Sequence, residues 1–367
     1  MVRDKISMRQ ALSLVSAALL SPMILLLPGT TAAAGGRAGW LSGLAVLPAA
    51  WLLCRAFRAM FRALPEEGSL ADGLELAYGR WAGRMLTLLY LVWGVVLLGW
   101  NARWAAFRFL STSYRNAPLD LFLFLLIGGA LWMGRRKLSV FLRAVEIFAL
   151  ALGLTLGISL LLGLFRMERE NLGPIWVEDL PGAALGALPV LALLGYGVFA
   201  GFLGGHIARR PENGRQLSRW TWWACGTLAL FQAVCIGAFG PALVRRMEIP
   251  YFMLVKDIGV PGAFERGESL VMALWVLADL SLLGMLLFAC RNIVEHLKGG
   301  RPVRWAPWGI AIAAAGVGFG TVGDAFRLSW IMEHIVGAGN LFLGVGIPLL
   351  TGGILWWKGR KGKRKEK

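Results

Sequence analysis

The chain has 367 residues, of which 57% are hydrophobic, with 17 Trp and 48 Gly. So apolar a composition excludes a soluble domain and describes a polytopic membrane protein, with helices packed through small residues and aromatics at the interfaces. The formal net charge of +17 falls in short clusters between apolar runs, not on one amphipathic face, which reads as charge that sets topology and argues against a nucleic-acid partner.

Apolar runs long enough to cross a bilayer predict ten spans, at about 10–33, 38–57, 84–110, 118–133, 139–165, 183–204, 219–243, 267–290, 307–323 and 335–357. The fourth and ninth are the shortest. Most of the 38 Lys and Arg fall on one side of this scheme, in Arg55/Arg58/Arg62, Arg135-Arg136-Lys137, Arg209-Arg210/Arg215/Arg219, Arg291/Lys298/Arg301/Arg304 and the final basic run. The positive-inside bias therefore puts both termini in the cytoplasm. The expected organisation is one transmembrane domain over 1–357, with repeats at about 10–165 and 183–357 and a basic, disordered cytoplasmic tail at 358–367. The connector PEEGSLADGLELAYGR reads as a short helix at the surface. A competing reading of the first span is a secretory signal peptide, because Arg3, Lys5 and Arg9 precede an apolar core and Thr31-Ala32-Ala33-Ala34 resembles a cleavage region.

The first span carries Ser21-Pro22-Met23 near mid-membrane and Pro28-Gly29 nearer its outer end. A helix broken at that depth bares backbone groups that lipid cannot satisfy, so the break must be buried in protein or line a polar cavity. The sixth span is weakened by glycines at 195, 197, 201, 204 and 205, around Tyr196 and Phe199, and reads either as close helix packing or as an unwound partner of the first. Spans one and six open the two halves of the chain, as an inverted five-plus-five repeat requires. The expected solute contacts are Ser21, Pro22, Met23, Gly195, Tyr196, Gly197, Phe199 and Asp279.

Charge at membrane depth is costly. Asp279 lies near the middle of the eighth span and is read either as half of a structural pair with a basic group such as Arg103 or as a carboxylate facing the solute. Asn101 and Arg103 of the third span are further inward-facing candidates, and Arg143 and Glu146 read as a local pair one turn apart. Cys54, Cys225, Cys235 and Cys290 read as apolar fillers. The histidines 206, 296 and 334 are scattered, and no P-loop, HExxH or GxSxG occurs, so neither a metal centre, a cofactor nor an enzyme is indicated.

From about Lys5 to Leu297 the chain resembles the spore-germination permease family, the membrane-embedded B subunits of endospore germinant receptors, within the amino acid/polyamine/organocation transporter superfamily. The resemblance is carried by Lys5-Ile6-Ser7 and Gln10, Leu27-Pro28, Trp40, Tyr78-Gly79-Arg80, Arg103, Pro118, Gly134 with Arg143, Asn171-Leu172 with Pro174, and Phe239-Gly240-Pro241. The loop into span eight adds Ile249-Pro250, Phe264-Glu265-Arg266, Glu268 and Trp275.

The resemblance implies an all-α fold of ten helices in the inverted arrangement, with helices one and six interrupted around a central site. It also implies an A-type membrane subunit and a C-type lipoprotein as partners, a small germinant such as an amino acid, and the inner membrane of a spore. Pro28, Asn101, Arg103, Glu265, Arg266 and Glu268 then become structural or gating residues. Three positions depart from the family's pattern. Ser21-Pro22-Met23 replaces a more glycine-rich break, Gly197 stands where an acid is expected, and Asp279 stands where an apolar or aromatic residue is expected. A receptor subunit, a proton- or sodium-coupled amino acid transporter and a water or ion conduit all need the same cavity, and the sequence leaves them open.

Overall fold

The computed structural model describes residues 5–112, 118–257, 267–321 and 324–365. Among them the chain is helical almost throughout. Seven helical stretches are long and apolar enough to cross a membrane, and two more apolar helices, Leu119–Gly134 and Ala306–Gly320, are shorter. These two are the spans expected to be shortest. The first stretch, Met8–Ala63, holds two long helices separated by a 3₁₀ segment at Gly36–Leu41 and one short helical turn at Ser42–Ala45.

Helix α1 (Met8–Gly35) starts at a capping box, in which Gln10 N donates to Ser7 Oγ and Ser7 N donates to Gln10 Oε1. Ser7→Ala removes one half of that box and is expected to cost about 1 kcal/mol, read as a lowered unfolding midpoint in detergent. Just before the cap, Ile6 N donates to His206 O and Ala208 N to Ile6 O, both at 2.8 Å. Contrary to the expected unwinding, α1 stays helical through Pro22 and Pro28. Each proline removes one backbone donor, so the helix loses hydrogen bonds there without opening. Thr30 and Thr31 hydroxyls donate back to Leu26 O and Leu27 O beside Pro28. Buried residues occur on all sides of α1, which is therefore a central helix of the bundle.

After α2 (Leu47–Ala63), the expected surface helix forms as α3 (Leu70–Tyr78), capped by Ser69 and Asp72. Then come α4 (Arg80–Thr112), α5 (Leu119–Gly134) and α6 (Leu138–Leu164). Exposed Val140, Ile147, Leu150, Leu154, Ile158 and Leu161 form a seam of helical spacing along α6, the face that lipid covers. Glu146 on α6 accepts from Gln10 Nε2 at 3.1 Å instead of pairing with Arg143.

The sixth span is interrupted as expected. Helix α7 (Leu180–Gly195) stops, Tyr196 and Gly197 form a turn, α8 (Val198–Gly201) adds one turn, and a 3₁₀ segment follows at Gly204–His206. Helix α9 (Asn213–Phe239) ends at Gly240, whose φ of 76° suits glycine. Asn171 Nδ2 donates to Gly237 O at this terminus, so two separated pieces of the family pattern meet there. The short α10 (Pro250–Asp257) precedes α11 (Gly267–Leu297), which packs against α1, α4, α5 and α6 with Leu282, Leu286 and Ala289 fully enclosed. Glu265 and Arg266, with Phe264, lie outside the described residues, as does the side chain of Glu268.

After α12 (Ala306–Gly320) the last span begins at α13 (Ala325–Trp330), passes through two π-helical segments, Ile331–Val336 and Asn340–Gly346, and continues as α14 (Ile347–Lys365). The basic tail expected to be disordered is helical through Lys365. Lys and Arg are good helix formers, and Lys358 Nζ donates to Leu76 O and Ala77 O at the end of α3, which anchors the extension. Lys5 pairs with Glu66, in the connector that follows α2. The four cysteines are buried and free.

Candidate functional site

The interruption of the sixth span sits against the last one. A Cβ on Gly344 would lie 2.5 Å from Gly195 Cα, and one on Gly195 would lie 2.7 Å from Asn340 O. Only hydrogen at both positions lets these backbones touch. The two π-helical segments are wider than α-helix and leave carbonyls off the usual i to i−4 ladder. One of these, Leu343 O, accepts from the buried Tyr90 hydroxyl at 2.5 Å.

Around this contact lies a polar group. The Tyr196 hydroxyl accepts from Asn101 Nδ2 at 3.2 Å and bonds the Asn340 side chain, and Trp93 Nε1 donates to Asn340 Oδ1 at 3.1 Å. A cavity of about 310 Å³ reaches this group between Leu26 and Thr30 of α1, Pro189 and Leu193 of α7, and Glu333 and Asn340 of the last span, with Tyr196 in its wall. Gly197 lines a different cavity, of about 700 Å³, at the other face of the interruption. Phe199 borders neither; it is buried edge-on against Tyr90.

Ser21 and Asp279 meet in a second cluster. Ser21 Oγ donates to Asp279 Oδ1 at 2.6 Å, Arg108 Nη1 donates to Ser21 Oγ at 3.1 Å, and Arg108 Nη2 pairs with Asp279 Oδ2. Trp275 lies under the guanidinium, 4.4 Å from ring centre to Cζ. The side chains of Arg108 and Asp279 are 2% and 4% exposed. The basic partner of Asp279 is thus Arg108, not Arg103. Arg103 instead donates to Gly318 O at 2.7 Å, holding the negative end of α12 to α4. Pro22 and Met23 are buried beside Ser21 and border neither cavity.

The sequence residues therefore separate into two sets. Gly195, Tyr196 and Asn101 gather at the interruption, while Ser21 and Asp279 gather at an ion pair between α1, α4 and α11. Tyr90, Trp93, Arg108 and Asn340 were missed. Arg108 lay near the end of the expected third span, where a basic residue reads as a flank, and Asn340 was a lone amide in an apolar run. Among the described residues, no three His, Cys, Asp or Glu side chains come together as a metal group would.

The fold is that of membrane transporters. It is similar to the crystal structure of MhsT in complex with L-phenylalanine, with a TM-score of 0.62 at 17% identity over 97% of this chain and 89% of that one. It is also similar to the Eremococcus coleocola manganese transporter in complex with an aromatic bis-isothiourea substituted compound, with a TM-score of 0.51 at 13% identity over 92% of this chain and 78% of that one. Residues 5–313 match the family described as spore germination protein, Spore_permease, and the chain belongs to that family. No curated protein matches the sequence.

Proposed function

We propose that this chain is the permease-like subunit of a spore germinant receptor, binding a small polar germinant such as an amino acid at the interruption of the sixth span. The observation that carries this reading is the 310 Å³ cavity that ends on Tyr196 and Asn340. Its size lies within the usual range for small-molecule sites. At that depth α7 ends, with Leu193 O and Leu194 O accepting from Tyr196 N and Gly197 N across the turn, and the partial negative charge of a helix C-terminus suits an ammonium group. Tyr196, Asn101 and Asn340 supply neutral donors and acceptors for the rest of the solute. Ser21, Asp279 and Arg108 serve as a latch between α1 and α11, because Arg108 already neutralises the carboxylate that a cationic solute would need.

Occupancy shifts the bundle only if the solute binds one arrangement better than another. In this reading the shift is passed to an A-type membrane subunit and a C-type lipoprotein in the spore inner membrane, with both termini of this chain in the cytoplasm. A second reading, a coupled amino acid transporter, is favoured by the likeness to MhsT, whose structure holds L-phenylalanine.

A thermal-shift screen of amino acids, sugars and nucleosides on the purified chain tests the site. A ligand at a hundred times its Kd is expected to stabilise the fold by about 2.7 kcal/mol. Tyr196→Phe is expected to weaken that ligand about tenfold, as loss of one hydrogen bond does. An unchanged ligand response in Tyr196→Phe would remove this cavity from the reading. Counterflow of the labelled ligand in liposomes separates the two functions: flux with the chain alone supports the transporter, and binding without flux supports the receptor.

A further inference from the structure

The 700 Å³ cavity is separate from the solute site, since Tyr196 borders one and Gly197 the other. It lies between the start of α1, α2, α8 and the start of α9, and Leu12, Val15, Leu53, Phe57, Leu217 and Ala224 give it an apolar interior. Four arginines border it: Arg58, Arg62, Arg209 and Arg210. Arg209 is committed to the fold, because it donates to Phe61 O and to Leu64 O. Arg58 donates to Ser218 Oγ at 3.1 Å, and its buried Nε has no acceptor. Arg62 and Arg210 are exposed, and Arg210 has only a loose 3.8 Å contact with Glu212.

An apolar interior with a cationic rim suits an amphiphile with an anionic head. A small free anion would leave the interior unfilled, and a neutral apolar molecule would leave Arg58 with Ser218 as its acceptor and Nε unpaired. The rim belongs to the basic end that charge bias assigns to the cytoplasm, where anionic phospholipids attract clustered Lys and Arg and basic pockets between helices bind their headgroups. We propose that this cavity holds an acyl chain of an anionic phospholipid from the surrounding leaflet, with its phosphate on Arg58, Arg62 and Arg210. Because Leu194 and Gly197 line the same space, the lipid bears directly on the interruption, and its presence sets how freely α8 moves.

The test is native mass spectrometry of the full chain released from nanodiscs that contain equal amounts of phosphatidylglycerol and phosphatidylcholine. One phosphatidylglycerol is expected to be retained in preference to phosphatidylcholine. The Arg58→Gln/Arg62→Gln/Arg210→Gln variant is expected to lose that preference by at least about tenfold. Ala224→Phe keeps the rim, fills the interior and is expected to lose the bound lipid. Arg62→Gln alone, at an exposed position, is expected to give a smaller fall and serves if the triple variant fails to fold. Equal retention of the two lipids by the parent chain would overturn the proposal, as would a preference untouched by Arg62→Gln or by Ala224→Phe. Displacement of the lipid by inorganic phosphate would assign the rim to a free anion and overturn the lipid reading.

Discussion

Arg108→Leu is expected to lower the stability of the chain by about 3–5 kcal/mol, because it strands a buried carboxylate. Asp279 is enclosed in the bundle, and its charge is met by Arg108 and by the Ser21 hydroxyl. With the guanidinium gone, one neutral hydroxyl remains, and a buried charge without its partner carries a large desolvation penalty. Removing both charges in Arg108→Leu/Asp279→Leu is expected to restore most of that loss, since an apolar pair of similar volume is often as stable as a buried ion pair. Asp279→Asn keeps a hydrogen-bonding partner for Ser21 but strands Arg108, and is expected to fall between the two. Denaturant unfolding of the purified chain in micelles reads all three. A single variant as stable as the parent would show that the pair does not hold α4 to α11.

Gly344→Val carries the second large effect. Its Cβ would lie 2.5 Å from Gly195 Cα and Gly195 O, and backbone on the opposite side cannot swing away as a flexible side chain can. Overpacking of this kind typically costs about 1–3 kcal/mol. The larger consequence is local. Separating the π-helical segment from the interruption moves Asn340 away from Tyr196, so the variant is expected to lose stabilisation by the ligand even under conditions where it remains folded. Gly353→Val, on the same span with nothing within 4 Å of its added Cβ, is the control and is expected to keep the ligand response. Equal ligand stabilisation in Gly344→Val and the parent chain would show that the close approach does not shape the site.

The helical class and most of the span positions were legible because hydropathy and length suffice for them. The interruption at Tyr196-Gly197 was legible for a similar reason, since local glycine density weakens a helix without help from distant residues. Pro22 misled for the converse reason: proline removes a hydrogen bond, and packing on all sides of α1 keeps the chain helical anyway. The partner of Asp279 could not be read from one strand of text. Arg103 and Arg108 sit five residues apart on the same helix, and only the rotation of α4 against α11 and α12 decides which faces the carboxylate. The π-helical segments left no mark in the apolar pattern, so the role of Asn340 emerged only from its contacts with Trp93 and Tyr196.

The pairing of Ile6 with the residues after α8 has a mechanical consequence. Two backbone bonds fasten the beginning of α1 to the end of the interrupted sixth span, so the start of one and the end of the other share one degree of freedom. A displacement of the segment after α8 is therefore carried to the start of α1, beside the Lys5–Glu66 contact.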